Sequence, residues 1–102
     1  MKETDDIQSL YCFGRWLGEE KKVILLKILL DRQGGVFPED LARDLGISRS
    51  TSFKWIKELV QFGLIEKKQL TNRHKCYVLK KECKSGSKLK FKQITIDFAF
   101  LN

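Results

Sequence analysis

Residues 41–65 read LARDLGISRSTSFKWIKELVQFGLI, and most of the fold follows from how this stretch divides. Ahead of it, Pro38 suits the first position of a helix and Glu39 and Asp40 supply the acids favoured in a first turn, so a short helix is expected from Pro38 to Leu45. Gly46 interrupts it. Ser48 then offers a side-chain oxygen to the orphan amides of a second helix, which runs to Phe62. Gly63 is set for a left-handed C-terminal cap, with Leu64 as the apolar residue that often accompanies one. On the wheel of this second helix, Phe53, Ile56, Leu59 and Val60 form the expected core face, while Ser50, Thr51, Lys54, Lys57 and Glu58 face out. Trp55 sits at the edge of the core arc beside Phe62 and is expected to pack on neighbouring structure, a hairpin or another subunit. Small Ala42 permits close helix approach, and Ile47, Phe53 and Ile56 lock the pair, giving the order helix, turn, helix.

Upstream, EEKKVILLKILLDRQ from Glu19 to Gln33 is rich in helix formers and stops at Gly34-Gly35. Its apolar side chains surround most of the helix and leave only a stripe through Glu20, Lys27 and Asp31 polar, so it must be covered on more than one side, by the segment Asp6 to Leu17 or by a second subunit. That segment has a helical apolar face at Ile7, Leu10, Tyr11 and Leu17, weakened by Gly14. Downstream, Leu64 to Leu70 and Lys75 to Lys81 are expected as strands joined by the polar turn Thr71-Asn72-Arg73-His74, a basic hairpin. A second turn spans Lys84 to Lys88. In the tail LKFKQITIDFAFLN, Ile94, Ile96, Phe98 and Phe100 alternate with polar or small residues and favour a strand, although a helical face through Phe91, Ile94, Phe98 and Leu101 fits nearly as well. The expected class is α+β, mainly α: a three-helix core, an extra N-terminal helix, a β-hairpin wing and a C-terminal strand.

With 102 residues the chain suits one small domain, with the helix pair at 38–62, the wing at 64–81 and a C-terminal segment at 88–102. That length excludes a catalytic domain carrying its own cofactor domain. Apolar residues at 42% and charged residues at 32% predict a folded protein. Twenty Lys and Arg stand against thirteen Asp and Glu, and they are not spread evenly: residues 1–46 hold seven bases and nine acids, residues 47–102 thirteen bases and four acids. Because the bases of the second half alternate with Phe, Trp, Ile, Leu, Tyr and Val, they form a charged face on folded structure, suited to an anionic partner. The start MKETDDIQSLYC carries acids where a secretory leader needs bases, and no apolar run nears the ~20 residues of a membrane span, so an intracellular chain with no membrane partner is expected.

Chemistry-bearing constellations are sparse. Cys12, Cys76 and Cys83 are odd in number and lack C-x-x-C spacing, which argues against a secreted disulfide framework or a zinc knuckle. An intersubunit disulfide enters only for a hyperthermophilic source. His74 and Cys76 are one His and one thiol without the third ligand a zinc ion needs or the oriented base a nucleophilic Cys needs. No phosphate-cradling Gly loop and no G-x-S-x-G are found. Neither catalysis, nor a cofactor, nor a metal is expected.

The stretch Leu41 to Leu79 resembles the MarR and ArsR type regulators of bacteria and archaea, in which LA..LGIS.ST....IK.L...GLI precedes a wing. The resemblance covers about 60 residues, Glu20 to Leu79, and implies a winged helix-turn-helix that binds double-stranded DNA as a transcriptional regulator. It implies that the helix after Ser48 enters the major groove while the wing, Lys67 to Lys75, lies along the backbone or minor groove. The residue types suit that docking: the hydroxyls of Ser48, Ser50, Thr51 and Ser52 and the helix N-terminus can meet phosphates, and Arg49, Lys54 and Lys57 can reach phosphates or guanine edges. On the wing, Lys67, Lys68, Asn72 and Lys75 complete the expected DNA-binding set, with Arg73 at the tip suited to a narrow minor groove. Metal-sensing ArsR members carry paired Cys near the recognition helix, and none lies between Leu41 and Leu64. Many relatives end in a long dimerisation helix, whereas a strand here would need a partner, either the wing sheet or its counterpart in a second chain. A homodimer reading two half-sites about one helical turn, ~34 Å, apart is expected, in the cytoplasm on the nucleoid. Two other functions remain open: a winged-helix adaptor that binds protein, and a nonspecific architectural DNA-binding protein.

Overall fold

A computed structural model describes residues 11–69 and 75–99. The first helix, α1, covers 11–16 within that range; the earlier part of the expected helix, and the Thr71 to His74 turn with Asn72 and Arg73, lie outside the described residues. The run of helix formers after Glu19 coils into α2, Glu20–Asp31, ending in an Arg32 N–H bond to the Ile28 carbonyl at 2.9 Å. Helix α3, Pro38–Leu45, and helix α4, Arg49–Phe62, follow.

Both later helices end the same way. Gly46 (φ 66°) and Gly63 (φ 84°) take the left-handed conformation that side chains disfavour, and the next residue's N–H turns back to a carbonyl of the last turn: Ile47 to Ala42 at 3.0 Å, Leu64 to Leu59 at 3.1 Å. Ser48 caps α4 by accepting the Thr51 N–H at 3.1 Å. The two helices are pinned by a buried bond from the Ser52 hydroxyl to the Pro38 carbonyl at 2.6 Å.

Strands β1, Ile65–Gln69, and β2, Lys75–Leu79, pair antiparallel with Ile65 opposite Leu79 and Gln69 opposite Lys75. Only Ile65 of β1 is buried, so the hairpin projects from the body as a wing. Val36, in the α2–α3 connection, exchanges two backbone bonds with Tyr77, at 2.8 and 2.9 Å, and ties the wing to the helices. Gly35 (φ 107°) permits this approach, since a Cβ there would lie 2.6 Å from the Cys76 sulfur.

The C-terminal segment corrects the sequence expectation. After a single 3-10 turn, Lys81–Cys83, strands β3, Lys84–Ser85, β4, Lys88–Phe91, and β5, Ile94–Asp97, form a separate three-stranded antiparallel sheet in that order. The tail strand pairs with β4 and not with the wing sheet, placing Phe91 opposite Ile94 and Leu89 opposite Ile96. Lys84 and Ser85, expected as turn residues, are the short edge of that sheet. Alternation explains the arrangement: in β4, Leu89 and Phe91 point inward and Lys88 and Lys90 outward.

The core runs through all of these elements. Leu25, Leu26, Leu29 and Leu30 of α2 meet Leu41 and Leu45 of α3, Ile56 and Leu59 of α4, and Leu64. Helix α2 packs on α3, β2 and β4, which bury Leu25, Leu26, Leu29 and Leu30 within the chain, while Ile24 on its remaining face is 40% exposed. The C-terminal sheet closes a ring cluster: Phe13 of α1 lies 4.6 Å from Phe91 and 5.4 Å from Phe62, centroid to centroid. No helix among the described residues is long and apolar enough to cross a membrane.

Candidate nucleic-acid interface

Helix α4 buries Ser52, Trp55, Ile56 and Leu59, an i, i+3, i+4, i+7 arc. The expected core face was therefore rotated. Phe53 and Val60 are 45% and 40% exposed, while Ser52, expected among the hydroxyls open to phosphate, is 2% exposed and already bonded to Pro38. Trp55 packs toward α2, where the Lys22 ammonium lies 5.3 Å from its ring and 4.9 Å from that of Trp16. Glu58 does not face freely outward: it is half-buried and accepts the Trp16 indole N–H at 3.0 Å.

The remaining outer flank of α4 and the wing enclose an open groove of about 570 Å3. Ser50, Lys54 and Lys57 line one side and Lys67 and Tyr77 the other, with Phe53, Ile56 and Val60 as the apolar wall and floor; no acidic side chain lines it. Register accounts for the far side, because Lys67 pairs with Tyr77 across the hairpin. Lys67 also borders a second cleft, of about 410 Å3, shared with Lys68, Lys81 and Lys84. Lys75 is exposed at the start of β2.

At the helix start, the Ser48 hydroxyl donates to Thr51 Oγ1 at 2.8 Å and lies 3.1 Å from Ser50 Oγ. These three residues form a polar shoulder beside the positive end of the helix. Arg49 is exposed but paired with Glu39 of α3, Nη2 to Oε1 at 2.6 Å. Ser50, Lys54, Lys57 and Lys67 thus share one concavity, Ser48, Arg49 and Thr51 border its helix start, and Lys68 and Lys75 lie further along the wing. Lys81, Lys84, Lys88 and Lys90 belong to the C-terminal turn and sheet instead. Sequence reasoning missed Phe53, Val60, Tyr77 and Glu39 as parts of this surface. The available signal was Trp55: counting it as core rotates the wheel and turns Phe53 outward.

Among the described residues no group of three or more His, Cys, Asp and Glu side chains is gathered for a metal ion. His74 lies outside them. Cys76 and Cys83 are buried and Cys12 is exposed. Burial, aided by the Glu82 carboxylate and opposed by Lys80, pushes the Cys83 thiol above its ordinary value.

A family model described as MarR family matches residues 24–76, just over half of the chain, from within α2 into β2. Comparisons with curated proteins and with solved structures find no match. The matched span contains the helix-turn-helix and the wing as far as the start of β2, with every groove residue except Tyr77, while α1 and the C-terminal sheet lie outside it. By that match and by its winged architecture, the chain belongs to the MarR family of transcriptional regulators.

Proposed function

We propose that this regulator binds double-stranded DNA sequence-specifically, with α4 in the major groove and the wing along the backbone or minor groove. One observation carries the proposal: Ser50, Lys54, Lys57 and Lys67 rim a single open groove that no acidic side chain lines. Cations converging on one concavity complement two phosphate strands better than the same charges dispersed. Ser48, Arg49, Thr51, Lys68, Asn72, Arg73 and Lys75 complete the proposed contact set. MarR family regulators typically dimerise, and two copies of this chain would span half-sites about one helical turn, ~34 Å, apart. A protein working on DNA belongs in the cytoplasm with the nucleoid, and nothing in this role calls on a cofactor.

Selection of bound fragments from random duplex DNA, followed by a salt titration on the winning sequence, tests the proposal. A regulator with about six phosphate contacts loses affinity with a log-log slope near −5 and still prefers one sequence. The lysines of the C-terminal sheet favour a second reading, nonspecific architectural binding, which keeps the slope and loses the preference. An adaptor that binds protein shows neither.

A further inference from the structure

Phe53 has no place in the core, and its exposure on the wall of a basic groove calls for an occupant. A phenyl ring left in water forgoes the burial that aromatic side chains gain elsewhere. Here it stands beside Ser50, Lys54 and Lys57, with Lys67 across the groove. Such surroundings suit a partner that is anionic at its edges and carries a small apolar group between them. The major groove of duplex DNA offers that combination: phosphates along both rims and, on the base edges, the C5 methyl group of thymine.

Position along the helix separates Phe53 from Val60. At 1.5 Å per residue, Phe53 lies about 6 Å from Arg49 along the axis and Val60 about 16 Å. The N-terminal residues of a recognition helix are the ones that reach base edges, so Phe53 falls within that depth and Val60 beyond it. Ser50 and Lys54, which line the same groove, would contact the flanking phosphate or bases.

We infer that Phe53 is a specificity-determining residue whose ring packs on the C5 methyl group of a thymine in the major groove of the bound half-site. The inference rests on the DNA-binding reading above. The test uses the duplex obtained by selection, with each thymine replaced in turn by deoxyuridine, which removes only the methyl group. One replacement is expected to weaken binding about fourfold, equivalent to about 0.8 kcal/mol at about 1.4 kcal/mol per decade. Phe53→Ala should bind the thymine and deoxyuridine duplexes alike, and Phe53→Leu, which keeps an apolar side chain on an exposed helix position, should retain part of the difference. Specific binding with no deoxyuridine effect at any position, or an undiminished effect in both variants, overturns the inference and leaves the DNA-binding reading standing. Selection that yields no preferred duplex overturns both.

Discussion

Two regions of this molecule carry clustered lysines and differ in what lies between the charges. In the C-terminal segment, residues 80–92 hold six lysines and one acid, yet in β4 Lys88 and Lys90 point to solvent because Leu89 and Phe91 must point to the core. Their charge is the outer face of a lid. On α4 and the wing, Lys54, Lys57 and Lys67 border a concavity whose floor is apolar and partly exposed. Charge over a closed floor keeps a surface wet; charge around an open one prepares it for a partner.

The strongest test of the lid is Phe91→Ala. Emptying a position that touches both Phe13 and Phe62 should cost about 3–5 kcal/mol in denaturant unfolding, and a loss below about 1 kcal/mol would show that the sheet does not hold the ring cluster. The contrast itself is tested by two multiple variants. Replacing Lys54, Lys57 and Lys67 by Gln should reduce the salt slope of DNA binding by about 2.7 and affinity at physiological salt by about a hundredfold, whereas Lys81, Lys84, Lys88 and Lys90 replaced together should change the slope by less than about one. Equal losses would mean that both regions hold DNA and erase the distinction. A smaller effect is expected from Ser48→Ala, about 1 kcal/mol in thermal unfolding, because the α4 amide that Ser48 satisfies loses its acceptor. The smallest concerns Glu39→Gln. Freeing Arg49 from a surface ion pair worth about 0.2–1 kcal/mol should tighten DNA binding by a few-fold at low salt, an advantage that high salt removes.

Much of the helix pair was legible because its boundaries are written in single residues. Ser48, Gly46, Gly63 and Pro38 each have one strongly preferred station at a helix end, and each takes it. The inner face of α4 was harder. Its arc includes Ser52, a polar residue that contributes no hydrophobic signal and is buried only because Pro38 accepts its hydroxyl; without that long-range bond the wheel appears to centre on Phe53. The β4–β5 hairpin was hidden for a different reason. Its turn puts Lys92 at φ 55°, a left-handed conformation normally signalled by Gly or Asn, so no residue type announced the reversal and the tail looked like one strand. The expected DNA-binding set was legible only as far as the structure is local. Lys54 and Lys57 share a face by helical spacing, but that Lys67 comes to stand across from them depends on how the hairpin folds back, which no local pattern specifies.

The Lys22 ammonium between the rings of Trp16 and Trp55 gives the molecule an optical property. These are the chain's two indoles, one on α1 and one on α4, and the first is also bonded to Glu58 of α4. Indole emission responds to nearby charge, so native fluorescence should follow movement of α4 relative to α1 without any attached dye.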